Sequence, residues 1–185
     1  YGYGGLQFGP YSASSYGSRD AYVAKINDDG EPVWLKAFGG SNDEEAREIA
    51  TDQNGNLLVF GVFSSNSLTI NSTTVNNNGV EDLFLAKFDT SGSLMWLKSF
   101  GGSQEEDAYD IEVGPDNNIY ISGRFISNTI SFGSVTLTKK GNGDMFCVKL
   151  NPQGTPLWGA SPGHDDEDRA MHVIPDHLAN VSITG

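Results

Sequence analysis

A spacing of 62 residues governs this chain. Trp34, Trp96 and Trp158 stand 62 apart, and so do Asp20, Asp82 and Asp144. Lys25, Lys87 and Lys149 keep the interval, as do Ala46, Ala108 and Ala170, and Gly61, Gly123 and Gly185. No residue is inserted or lost between these markers. Three units would take 186 residues and the chain has 185. Exact self-similarity at a long fixed period marks architectures in which one supersecondary unit stacks on copies of itself.

The unit reads as β-strands joined by turns. Ala46 to Asp52 is a short segment ending at the turn formers Gln53, Asn54, Gly55 and Asn56, and the apolar run Leu57 to Phe63 follows. A polar stretch from Ser64 to Val80 holds a small hairpin around Leu68, Ile70 and Val75. Leu83 to Phe88 is the next strand, Asp89 to Gly92 a tight turn, and Leu94 to Phe100 the last strand. No segment carries a sustained 3.6-residue apolar period with caps, so no helix is predicted.

Leu83, Phe84, Leu85, Ala86 and Phe88 are apolar on both faces of their strand. Such a strand belongs in a sheet packed between two others. The predicted fold is therefore all-β: propeller blades, in three 62-residue repeats of about four antiparallel strands plus a hairpin insert. A β-solenoid is the runner-up, but its repeats are usually shorter. The phase of the repeat divides the chain into the second half of a split blade (1–40), two full blades (41–102 and 103–164) and the first half of a split blade (165–185). Three blades are too few for a ring. The chain is thus expected to continue into further blades or to pair with other copies of itself, because open strand edges favour association.

Composition narrows the partners. With 24 acids against 11 bases the net charge is -13, which excludes nucleic acid as the main ligand. The longest unbroken apolar run is Leu57 to Phe60, far short of a membrane span. The single Cys147 excludes an internal disulfide. The start at Tyr1, without Met, reads as a mature form or a fragment.

The stretch Asp82-Leu-Phe-Leu-Ala-Lys-Phe-Asp-Thr-Ser-Gly-Ser-Leu-Met-Trp-Leu-Lys-Ser-Phe-Gly-Gly102 resembles the SBBP-type β-propeller repeat of bacterial extracellular proteins. Ser131-Phe-Gly-Ser-Val-Thr-Leu-Thr-Lys-Lys-Gly-Asn-Gly-Asp144 resembles the hairpin insert of Bacteroidetes-like secreted versions. The resemblance covers essentially the whole chain. It implies a secreted or surface-attached bacterial protein with no assigned catalytic residue. The third copy departs from the pattern after Trp158, where Gly159, Ala160, Ser161 and Pro162 replace Leu-Lys-x-Phe. Its last strand is expected to be distorted or short.

More than half of the acids fall in one kind of place, expected to be the link between a last strand and the next first strand. They are Asp43, Glu44, Glu45 and Glu48, then Glu105, Glu106, Asp107, Asp110 and Glu112, then Asp165, Asp166, Glu167 and Asp168. These links and the hairpin inserts are expected on one face. Carboxylates suit calcium, so Asp43, Glu44, Glu45, Glu105, Glu106, Asp107, Asp165, Asp166, Glu167 and Asp168 are the candidate ligands of a weakly bound calcium ion. The spaced D-x-D-x-D-G pattern is missing, and a solvated acidic rim explains the same residues.

Other candidates read as structural. His164, His172 and His177 match no zinc spacing. Glu48, Asp110 and His172 are equivalent first-strand positions and would line a central channel. Cys147 is a small core residue. Tyr22, Phe84 and Phe146 are expected to be buried. The three tryptophans are expected to pack between blades in equivalent settings, and the three lysines to lay their stems on apolar surface with the amine in water. With no nucleophile or cofactor motif, the sequence points to a non-catalytic structural or binding module whose acidic face meets a protein or glycan. The alternative is an enzyme or lectin-like module with a ligand on the propeller axis.

Overall fold

The computed structural model describes residues 5–185. Eighteen β-strands and no helix make up the described residues. The first unit contributes β1 (Leu6–Phe8), β2 (Tyr11–Ala13), β3 (Ala21–Ile26) and β4 (Pro32–Phe38). The second contributes β5 (Glu44–Thr51), β6 (Leu57–Phe63), β7 (Ser67–Ile70), β8 (Thr73–Asn76), β9 (Asp82–Phe88) and β10 (Leu94–Phe100). The third contributes β11 (Glu106–Val113), β12 (Ile119–Phe125), β13 (Thr129–Phe132), β14 (Val135–Thr138), β15 (Asp144–Leu150) and β16 (Pro156–Ala160). Last come β17 (His172–Pro175) and β18 (Val181–Thr184).

Two four-stranded antiparallel meanders result, β5-β6-β9-β10 and β11-β12-β15-β16. Hairpins β7-β8 and β13-β14 are inserted between the second and third strand of each. β3 pairs with β4 and β17 with β18, each as a two-stranded sheet. Residues 1–4 of the span 1–40 lie outside the described residues. β16 has five residues against seven for β4 and β10, so the substituted third copy does end its last strand early.

Period-two alternation lets one sheet serve two cores. Leu58, Phe60 and Val62 of β6 join Leu83 and Leu85 of β9 against Ile111, Ile121, Phe146 and Val148 of the next sheet. Val59 and Phe63, with Phe84, Ala86 and Phe88, face the other way onto Val23, Trp34 and Phe38 of β3-β4. Every residue of β9 is buried. Each fully buried Phe or Leu contributes roughly 1.5–3 kcal/mol, which makes this stack the main source of stability. Beyond it, Tyr120 and Cys147 meet Val173, with Val181 and Ile183 packed on them.

Two recurring glycines have steric causes. The first strand carries a β-bulge, between Ala46 and Glu48 in β5 and between Ala108 and Asp110 in β11. A Cβ at Gly61 would strike the Glu45 carbonyl and the Phe84 ring, and one at Gly123 the Asp107 carbonyl and the Phe146 ring. Similarly, a Cβ added at Gly92 would come 3.1 Å from the Trp34 ring, and one at Gly154 3.1 Å from the Trp96 ring. Trp34 and Trp96 thus each pack on the turn of the next unit. The settings are nonetheless unequal. Trp34 is 8% exposed and Trp158 is 39% exposed, because no following turn lies on Trp158 among the described residues.

Candidate functional site: the seams and the first-strand row

The recurring aspartate opens the third strand and is spent on the loop before it. Asp20 accepts the Tyr16 N–H, Asp82 the Asn78 N–H at 2.8 Å, and Asp144 the N–H groups of Lys140 and Gly141 at 2.7 and 3.0 Å. A second acid, at or just before the start of the next unit's first strand, closes the link. Glu44 accepts the Gly40 N–H, Glu106 the Gly102 N–H, and Asp168 the His164 N–H. In the middle seam Glu106 also accepts the Ser127 hydroxyl at 2.5 Å. Burial, followed by the charge of Asp82, pushes Glu106 up to about 7. Burial likewise raises Glu44 and Asp82. Thus the aspartate closes the loop before its own third strand, and the second acid closes the turn that carries one unit onto the next.

A charged ladder crosses the same seams. Arg19 pairs with Asp43 and Glu45; Arg47 reaches back to Glu45 and forward to Asp107 at 2.8 Å. Arg124 bridges Asp107 and Glu167, and Arg169 closes on Glu167 at 2.6 Å. Sequence periodicity missed this ladder. The equivalents of Arg47 are Tyr109 and Met171, and that of Arg124 is Val62, so no repeat marks them.

The first strands of successive units run beside one another, and here the row Glu48, Asp110, His172 comes together. Asp110 Oδ2 accepts the Val173 N–H at 2.7 Å and lies 3.8 Å from His172 Nδ1. Glu48 is raised first by burial and then by Asp110, with His172 acting against both. The spacing alone had grouped these three.

Only part of the acids lie in the links, which corrects the sequence reading: Asp43, Glu105, Asp165, Asp166, Glu167 and Asp168 precede the first strands, and the rest stand on them. Glu44, Glu45 and Glu48 belong to β5, and Glu106, Asp107, Asp110 and Glu112 to β11. Alternation then sends neighbours to different tasks. Of the ten candidate calcium ligands, Glu44, Glu106 and Asp168 close links, while Asp43, Glu45, Asp107 and Glu167 pair with arginines. Glu105, Asp165 and Asp166 are exposed. Among the described residues no three His, Cys, Asp or Glu side chains are grouped so as to hold a metal ion. That holds for His164 and His177 too, both of which are exposed. Links and inserts do meet at one end of the sheets, since the Asn42 N–H bonds Ser65 and the Gln104 N–H bonds Ser127.

Three further readings change. Lys87 does not hold its amine in water; its Nζ is buried 2.8 Å from Asp52 and 3.2 Å from the Pro152 carbonyl. Lys149 does the same with Asp116 at 2.6 Å, over the Tyr120 ring. Tyr22 is 49% exposed although Phe84 and Phe146 are fully buried. Cys147, by contrast, sits in the core as read, its thiol pushed up to about 11 by burial, far from an activated nucleophile.

This geometry has distant relatives. The chain is 22% identical over 196 residues to an uncharacterized WD repeat-containing protein of Acanthamoeba polyphaga mimivirus, covering 86% of this chain and 14% of that protein. It is 24% identical over 165 residues to the regulatory protein FlaEY of Caulobacter vibrioides, covering 85% of this chain and 17% of that one. The chain thus spans about a sixth or less of the curated relatives it matches. No family model matches it. The first likeness suggests a repeat protein of the propeller kind, in keeping with all-β units that repeat every 62 residues.

Proposed function

We propose that this chain is a β-propeller segment working as a non-catalytic structural and interaction module at a bacterial cell surface. One observation carries the reading. The recurring polar residues Asp20, Asp82 and Asp144 are each used to close a loop at a seam, as suits a scaffold built by repetition. What varies between units is one row on the first strand: exposed Glu48 and His172 with half-buried Asp110 between them, and exposed Glu112 beside them. This acidic row is the contact surface, and its charge suits a basic protein segment. The resemblance to SBBP-type repeats supports the location.

Calorimetry with a lysine-rich peptide tests the contact surface. Binding should weaken with salt and disappear when Glu48 and Glu112 become Gln and Asp110 becomes Asn. No heat with the peptide would overturn the acidic contact surface. Heat with calcium chloride alone would assign the row to a cation instead.

A further inference from the structure

The seams between units bring acids together in pairs. At each one a parallel bridge ties the residue before a third strand to the residue before, or near, the next first strand: Arg19 to Asp43, Glu81 to Glu105 and Gly143 to Glu167. The residues that follow, Asp20 and Glu44, Asp82 and Glu106, Asp144 and Asp168, therefore stand side by side across the seam. Two of these pairs are buried on both sides. Asp20 and Glu44 are 2% and 1% exposed, and Asp82 and Glu106 are both 0% exposed. A glycine that recurs with the unit leaves room for them. A Cβ at Gly39 would strike Asp20 Oδ1 and come within 3.0 Å of Glu44 Oε2, and one at Gly101 would strike Asp82 Oδ1.

The loop N–H groups do not saturate these oxygens. Asp82 Oδ1 and Glu44 Oε1 are buried and accept no hydrogen bond. No Lys, Arg or His pairs with Asp82 or Glu106 among the described residues, and Arg47, on the same seam, pairs with Glu45, Glu81 and Asp107 instead. A buried carboxylate without a counter-charge is costly, and two side by side are more so.

We propose that the middle seam, between Asp82 and Glu106, is a binding site for one calcium ion. Two negative charges in a dry place call for a divalent cation. The donors are all oxygens: Asp82 Oδ1, the Glu106 carboxylate, and Ser127 Oγ, which stands 2.5 Å from Glu106 Oε1. Such a set selects a hard cation, and magnesium, which keeps several waters, suits a buried seam less than calcium. Only two of the ligands are acidic, so the site belongs with the weak calcium sites, at about 0.1–1 mM. Without the ion a proton takes its place. The ion ties β9 of one unit to β11 of the next, and the Asp20–Glu44 pair repeats the arrangement one seam earlier. The site is separate from the contact row of Glu48, Asp110 and Glu112.

Equilibrium dialysis of the chain against radioactive calcium tests it. At about millimolar calcium and about pH 8 the chain should hold at least one ion, and Glu106→Gln should hold one fewer. The urea midpoint of the unaltered chain should rise with calcium and fall back in EDTA. That rise should shrink at about pH 5, because protons compete for the same oxygens. Glu106→Gln should show less of it. The triple variant Glu48→Gln, Asp110→Asn and Glu112→Gln should keep both the ion and the rise, which separates the seam from the contact row. An unaltered chain that holds no calcium, or a Glu106→Gln chain that holds as much, overturns the seam site and leaves the contact surface standing. Calcium lost only in the triple variant gives the ion to the row and overturns the seam site as well.

Discussion

Lys87 Nζ lies 2.8 Å from Asp52 Oδ2, with the two side chains 5% and 2% exposed. Against the burial that would raise it, the lysine and the bonds from Asn54 and Asn56 hold Asp52 down at about 2. Removing one member of a buried pair strands the other. Asp52→Ala should therefore cost about 3–5 kcal/mol in urea unfolding. Lys149→Met, at the more open pair with Asp116, should cost clearly less.

The two kinds of acid give opposite pH slopes. Asp52 is depressed on folding, so its stabilisation is present above about pH 4 and is lost as pH falls toward 2. Glu106 is raised from 4.5 to about 7, so the folded state holds its proton more tightly. Its contribution is full below about pH 4.5 and is lost as pH rises through 7, by about 3 kcal/mol. Glu44 and Asp82 add in the same direction. Stability measured by urea midpoint should peak near pH 4–5. Glu106→Gln should flatten the upper slope, and a slope unchanged by that substitution would refute the assignment.

Turn glycines should differ by what lies on them. Gly30, Gly92 and Gly154 all have positive φ, at 82°, 79° and 74°. Gly30→Ala should cost about 1 kcal/mol, for strain alone. Gly92→Ala and Gly154→Ala should cost about 1 kcal/mol more, because the new Cβ sits 2.9–3.1 Å from side-chain atoms including the Trp34 and Trp96 rings. Equal losses at all three positions would contradict the tryptophan packing.

Single-tryptophan variants should separate the three rings. With the other two changed to Phe, Trp158 should be quenched by acrylamide more strongly than Trp34, following their exposures. Equal quenching would show that something covers Trp158 in solution.

Much of the fold was legible because repetition reports on backbone geometry. A residue that recurs three times at one spacing answers a demand that recurs with it. Gly61 and Gly123 had to be small because a bulged carbonyl and an aromatic ring press on them. Asp82 and Asp144 had to be acids because loop N–H groups need an acceptor. Apolar residues on both faces of β9 announced a sheet between sheets. The row Glu48, Asp110, His172 was legible for the same reason.

What repetition could not express is how one unit meets the next. Arg47 and Arg124 occur once each, and only the stacking of sheets brings them to Asp107 from two sides. Neighbouring acids along β5 and β11 looked alike in sequence. Strand alternation and the seam divided them into a buried carboxyl near pH 7, arginine partners and a solvent-facing row. Lys87 looked like a surface lysine until the turn bearing Asp52 closed over it. The exposures of Tyr22, Ile49 and Trp158 depart from those of their equivalents for one physical reason. None of the three has a neighbouring four-stranded sheet packed over it among the described residues, and burial depends on that neighbour as much as on the residue.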